Sequence, residues 1–169
     1  ADRSTWIKPK MVDRAKALET RLASATTETS ELRRTLEMAR RDAMTDALTG
    51  IGNRKLFDLK LREDAMQATE SGEAMALLMT DIDHFKTVND RYGHQTGDDV
   101  LKWFARILSA NMKGRDTVAR YGGEEFAIIL PQTTLDNATI LAGQIKQQLE
   151  SQLWTKPGAP NTNLRITAS

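Results

Sequence analysis

The chain of 169 residues contains no cysteine. Disulfides and thiolate metal sites are therefore excluded, and a reducing compartment fits the composition. No apolar run is long enough to span a bilayer, and no secretory h-region opens the chain. Neither sign of charge dominates: 24 Lys and Arg against 23 Asp and Glu give a formal net charge of +1. Such a balance suggests no field for holding a polyanion, so nucleic acid is not an expected partner. Glycine and proline are missing between Met11 and Ala43, and nothing there interrupts a helix. The length allows one ordinary domain with an appendage.

The uninterrupted stretch carries an apolar or small residue in alternating steps of four and three: Met11, Ala15, Leu18, Leu22, Ala25, Thr29, Leu32, Leu36, Ala39 and Ala43. This is a heptad seam, with Arg, Lys and Glu in the remaining positions. A helix from Lys10 to Met44 would extend roughly 52 Å. So long and narrowly striped a helix cannot bury itself on a compact domain, and the spacing predicts a parallel two-stranded coiled coil. Pro9 is expected in its first turn, where a missing N–H is no loss, with residues 1–9 as a tail. Around Ala25 to Thr29 small and hydroxyl residues replace leucine. A weak seam there would leave register or splay open to an upstream input.

The rest of the chain is organised around Val118 to Leu130, where two apolar runs flank Gly122-Gly123. That pattern predicts a tight hairpin, with both glycines free to take φ > 0. Glu124 and Glu125 follow in the strand and should face opposite sides. A second acidic site ends the apolar run Ala74 to Asp81, which reads as a buried central strand with Asp81 and Asp83 at its C-terminal edge. In open α/β sheets ligands sit outside such strand ends. Oxygen-rich clusters of this kind suit Mg²⁺, which prefers a few carboxylates together with a substrate's phosphates. Asp-x-Asp alone is an ordinary strand exit; paired with the hairpin it marks a site.

Other elements frame these two. Arg54 to Glu70 predicts a helix buried through Leu56, Phe57, Leu59, Leu61 and Met66, stopped by Ser71-Gly72. His84-Phe85-Lys86 opens a short helix whose first N–H groups would attract phosphate, Lys86 adding charge. Asn89 offers an amide donor and an acceptor and Asp98 acceptors only; taken alone, Asn89-Asp90 reads as a turn and Asp98 as part of a first helical turn. Thr96 is expected to cap a helix with Val100, Leu101, Phe104, Ile107 and Leu108 on one apolar face. Thr133 or Thr134 opens another, running to about Leu149. Lys156 to Asn161 reads as a turn-rich loop and Leu164 to Ser169 as a strand.

Asp46-Ala47-Leu48-Thr49-Gly50-Ile51-Gly52-Asn53-Arg54, Asp81-Ile82-Asp83-His84-Phe85-Lys86, Asn89-Asp90, Gly93-His94, Gly97-Asp98 and Arg120-Tyr121-Gly122-Gly123-Glu124-Glu125-Phe126 follow in order. Together they make the chain, from about Arg41 to Ser169, resemble the GGDEF diguanylate cyclases, here with GGEEF and with Ile51 where the family has leucine. The resemblance implies a nucleotidyl-cyclase-like α/β (α+β) domain over residues 45–169, its central antiparallel sheet flanked by helices, behind the coiled coil of residues 10–44. The family continues past this point with a further strand region and a final helix, so the C-terminal end of the domain is expected to be absent from this chain.

The implied activity is that of a nucleotidyltransferase: two GTP joined into cyclic di-GMP, with release of two pyrophosphates, across a homodimer. By the same resemblance Asp81, the Ile82 carbonyl and Glu124 hold Mg²⁺, with Mn²⁺ an alternative. Glu125 lies near the ribose 3′-hydroxyl as metal-linked acid or general base. His84, Phe85 and Lys86 take phosphate, Asn89 and Asp98 read guanine, and the loop from Asp46 couples helix to domain. Many members carry Arg-x-x-Asp as a product-inhibition site. Asp116 matches it here but Lys113 stands in the arginine's place, and lysine lacks the bidentate fork. Inhibition is expected to be weak or absent. A cytoplasmic location is expected, with an upstream sensor domain and any membrane attachment lying in a segment before this chain. The alternative is a non-catalytic GTP- or nucleotide-binding signalling module of the same fold.

Overall fold

A computed structural model describes residues 4–155 and 163–169, and it divides the chain into two units, one ending at Arg41 and one starting at Asp42. Helix α1 spans Ser4–Met44. It starts six residues before Lys10, so the expected nine-residue tail is shorter and Pro9 lies in the second turn rather than the first. So near the N-terminus a proline leaves only one carbonyl, that of Thr5, without its intrahelical donor. From Asp13 to Ala43 every side chain is exposed. No helix among the described residues is long and apolar enough to cross a membrane.

The second unit opens with a clasp. The Asn53 side-chain amide donates to the Ala43 carbonyl at 2.9 Å and the Thr45 carbonyl at 3.3 Å. Its oxygen accepts from the Leu56 N–H at 3.1 Å and so caps α2, Arg54–Ser71. Gly72 closes that helix in the left-handed conformation, its N–H on the Ala68 carbonyl. Of the expected buried face only Phe57 is buried, and Met66 is 65% exposed. The reason lies in the sheet: Phe57 packs with Ala119, Ala127 and Ile129, and the two alanines leave room for one aromatic ring.

Four strands form a mixed sheet: β1 (Gly52–Asn53), β2 (Met75–Asp81), β3 (Thr117–Arg120) and β4 (Glu125–Pro131), in the order β1-β3-β4-β2. The β1–β3 pair is parallel and the others antiparallel. Contrary to the sequence expectation β2 is not the central strand; β4 is, with Phe126 to Leu130 all buried. On its other side, among the described residues, β2 gains a partner only at its end, where Ile82 bridges Ala168. Leu77 and Met79 accordingly remain 44% and 50% exposed.

Helices α3 (Phe85–Tyr92), α4 (His94–Asn111) and α5 (Leu135–Ser151) complete the layers, with a small hairpin of β5 (Leu153–Thr155) and β6 (Asn163–Arg165). All five apolar positions named for α4 are buried, and the Phe104 ring meets Phe126 edge-on at 4.8 Å. The helix begins at His94, so Thr96 is not its cap. Its hydroxyl, fully buried, donates to the Tyr92 carbonyl at 2.8 Å and ties the end of α3 to the start of α4. Thr134 caps α5, and Ala138, Ile145 and Leu149 are its buried side. Strand β5 carries no alternation long enough to announce it; Trp154 pairs with Leu164 and both are buried. The loop Lys156 to Asn161 lies outside the described residues.

Phe104→Ala should lower unfolding stability by about 3–5 kcal/mol, because it removes a fully buried ring that the rigid sheet cannot collapse to replace. Urea titration of parent and variant measures it.

Candidate active site

Tyr121-Gly122-Gly123-Glu124 turns the chain from β3 into β4. Neither glycine takes a positive φ, in contrast to the expectation. Gly122 matters in a different way: a Cβ there would displace the Glu125 carboxylate, which folds over it. The N–H groups of Tyr121 and Gly122 both donate to the Glu125 carbonyl, at 2.8 and 3.2 Å. Glu124 sits in the turn and Glu125 is the first residue of β4, so the two acids are separated by element rather than by the faces of one strand.

The β2–β4 register sets Asp81 opposite Glu125, and the Ile82 N–H donates to the Glu124 carbonyl at 3.3 Å. Asp81, Ile82, Glu124 and Glu125, all singled out in the sequence, are thus brought together through their backbones at one end of the sheet. An open cavity of about 210 Å³ lies there, lined by Met79, Thr80, Asp81, Glu125 and Ser169. Burial pushes the Asp81 carboxyl above its usual range, and the charges of Glu125 and Asp83 push it the same way.

Asp83 plays another part. Its N–H donates to the Thr167 carbonyl at 3.0 Å and its carboxylate accepts from the Ser169 hydroxyl at 2.9 Å. Hydrogen bonds from Thr167 and Ser169 hold its carboxyl below the usual range, against burial and with help from His84 and Lys146. Of the Asp-x-Asp pair one residue therefore lines the cavity, and the other anchors the segment Ile166 to Ser169 along the end of β2.

Among the described residues no three His, Cys, Asp or Glu side chains converge closely enough to hold an ion by themselves. Carboxylates together with a backbone carbonyl at this end of the sheet are the donor types that suit a cation keeping phosphate and water among its ligands, as Mg²⁺ does. The Ile82 carbonyl is engaged by the Phe85 N–H at a long 3.3 Å and retains a lone pair. Burial first, and then the charges of Glu125 and Asp83, disfavour the Asp81 carboxylate, and a cation beside it would favour that form.

His84 adopts the left-handed conformation at φ 57° and starts α3. Phe85 is buried, whereas His84 and Lys86 are exposed. Asn89 and Asp98 are half-buried on adjoining helices, α3 and α4. They are brought together by Gly97: a Cβ there would overlap the Asn89 side-chain oxygen, so the amide lies against bare backbone next to Asp98. In the sequence Gly97 stood out only as part of a motif, without a packing role. The signal was available, since a glycine inside an apolar helix costs about 1 kcal/mol relative to alanine and so calls for a packing reason.

Arg120 also escaped notice as a linking residue. Its Nε and Nη2 donate to the Gly123 carbonyl at 3.1 and 2.6 Å, and Nη1 reaches Asp46 at 3.4 Å. Asp46 accepts in addition from the Thr49 N–H and hydroxyl, at 2.9 and 2.6 Å. The loop that follows α1 is thereby joined to the acidic hairpin. Burial opposes ionisation of Asp46, but the Thr49 bonds and the Arg120 charge outweigh it and hold the carboxyl below its usual range. In the loop before β3 the Lys113 N–H donates to the Asp116 carboxylate at 2.8 Å, and the Asp116 N–H returns a bond to the Lys113 carbonyl.

Residues 43–168 match the family described as diguanylate cyclase, GGDEF domain, and the chain belongs to that family. It is 39% identical over 127 residues to the response regulator PleD of Caulobacter vibrioides, an alignment covering 75% of this chain and 28% of that protein. It is 38% identical over 133 residues to the diguanylate cyclase VdcA of Vibrio cholerae, covering 79% of this chain and 38% of VdcA. The chain thus spans well under half the length of these curated relatives. Among solved structures it is similar to the coiled coil and GGDEF domain of DgcB from Caulobacter crescentus in complex with c-di-GMP. The TM-score is 0.82 at 39% identity, over 90% of this chain and 80% of that one.

Asp46→Asn removes the charge facing Arg120 and weakens the Thr49 bonds, with an expected loss of about 1–2 kcal/mol at pH 7. A carboxyl whose folded pKa is depressed stabilises fully above its unfolded value, near 3.8, and loses that contribution as pH falls through the folded value. The gap in unfolding free energy between parent and variant should therefore close below pH 3.8, as urea titrations from pH 7 downward would record.

Proposed function

We propose that this chain is the catalytic part of a diguanylate cyclase, in which two copies each present one GTP and the pair is joined into cyclic di-GMP with release of two pyrophosphates. The observation that carries the proposal is the pairing of Asp81 with Glu125 across β2 and β4, beside Glu124 and at the mouth of an open cavity.

Asp81, Glu124 and the Ile82 carbonyl would hold Mg²⁺, or Mn²⁺ in its place. When bound there the ion supplies charge stabilisation on the phosphate oxygens. Glu125, held over Gly122, accepts a proton from the ribose 3′-hydroxyl as that oxygen attacks the α-phosphate of the other GTP. The exposed Lys86 and the turn at His84 and Phe85 neutralise and orient the phosphates. Asn89 and Asp98 take the hydrogen-bonding edge of guanine: the carboxylate accepts from N1–H and N2–H₂, and the amide donates to an acceptor on the ring.

One unit has one such pair of guanine readers, so bond formation requires two units facing each other. Fixing both reactants in place can lower the barrier by several kcal/mol. The exposed heptad seam of α1 supports a homodimer, and the bridge from Asp46 through Arg120 to Gly123 supports control of the hairpin from the helix side by an upstream domain. Feedback through Lys113 and Asp116 should be weak, because the Asp116 carboxylate is engaged by its own turn and Lys113 has no fork for a phosphate.

Incubation with GTP and Mg²⁺, followed chromatographically, should give cyclic di-GMP from the parent and at least 100-fold less from Glu124→Gln. Binding of GTP without product, even in crosslinked dimers, would replace this proposal with a nucleotide-binding signalling module. Gly97→Ala should displace the Asn89 amide and raise KM for GTP roughly tenfold or more, with a smaller change in kcat, because uniform binding of the base is what it removes. Steady-state kinetics over a range of GTP concentrations separates the two constants.

A further inference from the structure

Arg54 puts a cation where helix electrostatics disfavour one. It is the first residue of α2, at the positive end of the helix dipole, and the first turn holds no acid to offset it. Its guanidinium lies 4.5 Å from the centre of the Tyr121 ring, which itself meets Phe57 edge-on with ring centres 5.3 Å apart. Among the described residues no hydrogen bond or ion pair engages its N–H donors. The register brings this cation level with the acids. Strand β1 runs parallel to β3 with Asn53 beside Arg120, so Arg54 follows at the level of Tyr121. The Tyr121 N–H donates to the Glu125 carbonyl, and Glu125 stands opposite Asp81. Arg54, Tyr121, Glu125 and Asp81 therefore make one row across the end of the sheet, its strands about 4.8 Å apart. Tyr121 and Glu125 share the face on which Phe57 packs, each two residues from the paired Ala119 and Ala127.

We propose that Arg54 binds a phosphate during bond formation, and that this phosphate belongs to the GTP of the second copy. This rests on the function proposed above and adds a residue to it. Under that function the ion and a copy's own triphosphate sit on the Asp81 side of Glu125. The α-phosphate that its 3′-hydroxyl attacks comes from the second copy and meets Glu125 from the other side, where Arg54 ends the row. As the 3′-oxygen bonds to that phosphorus, its proton passes to Glu125. The bond to pyrophosphate breaks, and pyrophosphate leaves with the electron pair. Negative charge spreads over the phosphate oxygens meanwhile. A guanidinium is planar and permanently charged, and offers two parallel N–H donors to such oxygens. Stacking on Tyr121 orients it before the phosphate arrives, which is the condition for stabilising charge as it develops. Arg120 cannot serve in its stead, being turned to the Gly123 carbonyl and Asp46.

Arg54→Ala should lower kcat roughly 100-fold. Its affinity for 3′-deoxy-GTP, which binds but lacks the attacking hydroxyl, should stay within about twofold of the parent by calorimetry. A loss of that affinity of roughly tenfold or more puts the phosphate on the copy's own GTP and overturns the assignment. Arg54→Met keeps an apolar stem on the Tyr121 ring and should be as impaired as Arg54→Ala. Recovery of activity in Arg54→Met reduces the residue to packing and overturns the proposal. Mixed dimers of differently tagged copies test the second-copy contact directly. With Arg54→Ala and Glu125→Gln on the same copy only one of the two bonds is impaired, so a linear dinucleotide should accumulate. With the substitutions on opposite copies both bonds are impaired and little of either product should form. The reverse pattern overturns the proposal. A parent that makes no cyclic product overturns the function beneath it, whereas an active parent matched by Arg54→Ala overturns this inference alone.

Discussion

The seven-pair ladder between β2 and β4, from Met75 opposite Pro131 to Asp81 opposite Glu125, is the constraint on which the site depends. A slip of one residue would turn every side chain of one strand to the other face. Strand β4 resists such a slip on both sides. Phe126, Ile128 and Leu130 are buried in the core that includes Phe104 and Leu108 of α4, and Ala127 and Ile129 are buried with Phe57 of α2. The meeting of Asp81 with Glu125 is thus a by-product of hydrophobic burial several residues away, and the acids themselves contribute nothing favourable to it. Every influence on Asp81 raises its pKa.

That tension explains the division of labour around the hairpin. Arg120, the nearest cation in sequence to the two glutamates, turns to the Gly123 carbonyl and to Asp46. Its charge is spent on holding the turn and the loop after α1. Under the proposed function the carboxylates at the cavity would be left to an ion and to the phosphates that arrive with it. Asp83, two residues from Asp81, is likewise withdrawn, into hydroxyl and backbone bonds with Thr167 and Ser169. Glycine works here by absence of a side chain rather than by unusual φ: Gly122 admits the Glu125 carboxylate and Gly97 admits the Asn89 amide.

Much was legible along the chain. The apolar face of α4, the stop of α2 at Gly72 and the seam of α1 follow from periodicity and capping chemistry, which act within a few residues. The motif order placed the chain in its family. Less legible was anything that depends on what lies across the fold. The run before Asp81 is apolar enough for a central strand, yet β2 is paired on one side along most of its length, and Leu77 and Met79 are exposed in consequence. Thr96 looked like a cap and proved to be a buried strut because α4 starts two residues earlier. The buried face of α2 shrank to Phe57 because the sheet beneath offers two alanines.

The sequence by itself determined the identity of the acids, the helical and extended segments, and the absence of cysteine chemistry, since each is a property of local composition. It determined too the seam of α1, whose leucines and flanking charges are spaced along one helix. Only the tertiary structure decided which of Asp81 and Asp83 lines the cavity, what Arg120 holds, and why Gly97 and Gly122 have no side chain. The Arg120–Asp46 contact joins residues 74 apart and the Ser169–Asp83 bond residues 86 apart. No pattern within a helix or strand encodes such partners; they exist because burial of β4 on both faces brings distant loops to one end of the sheet.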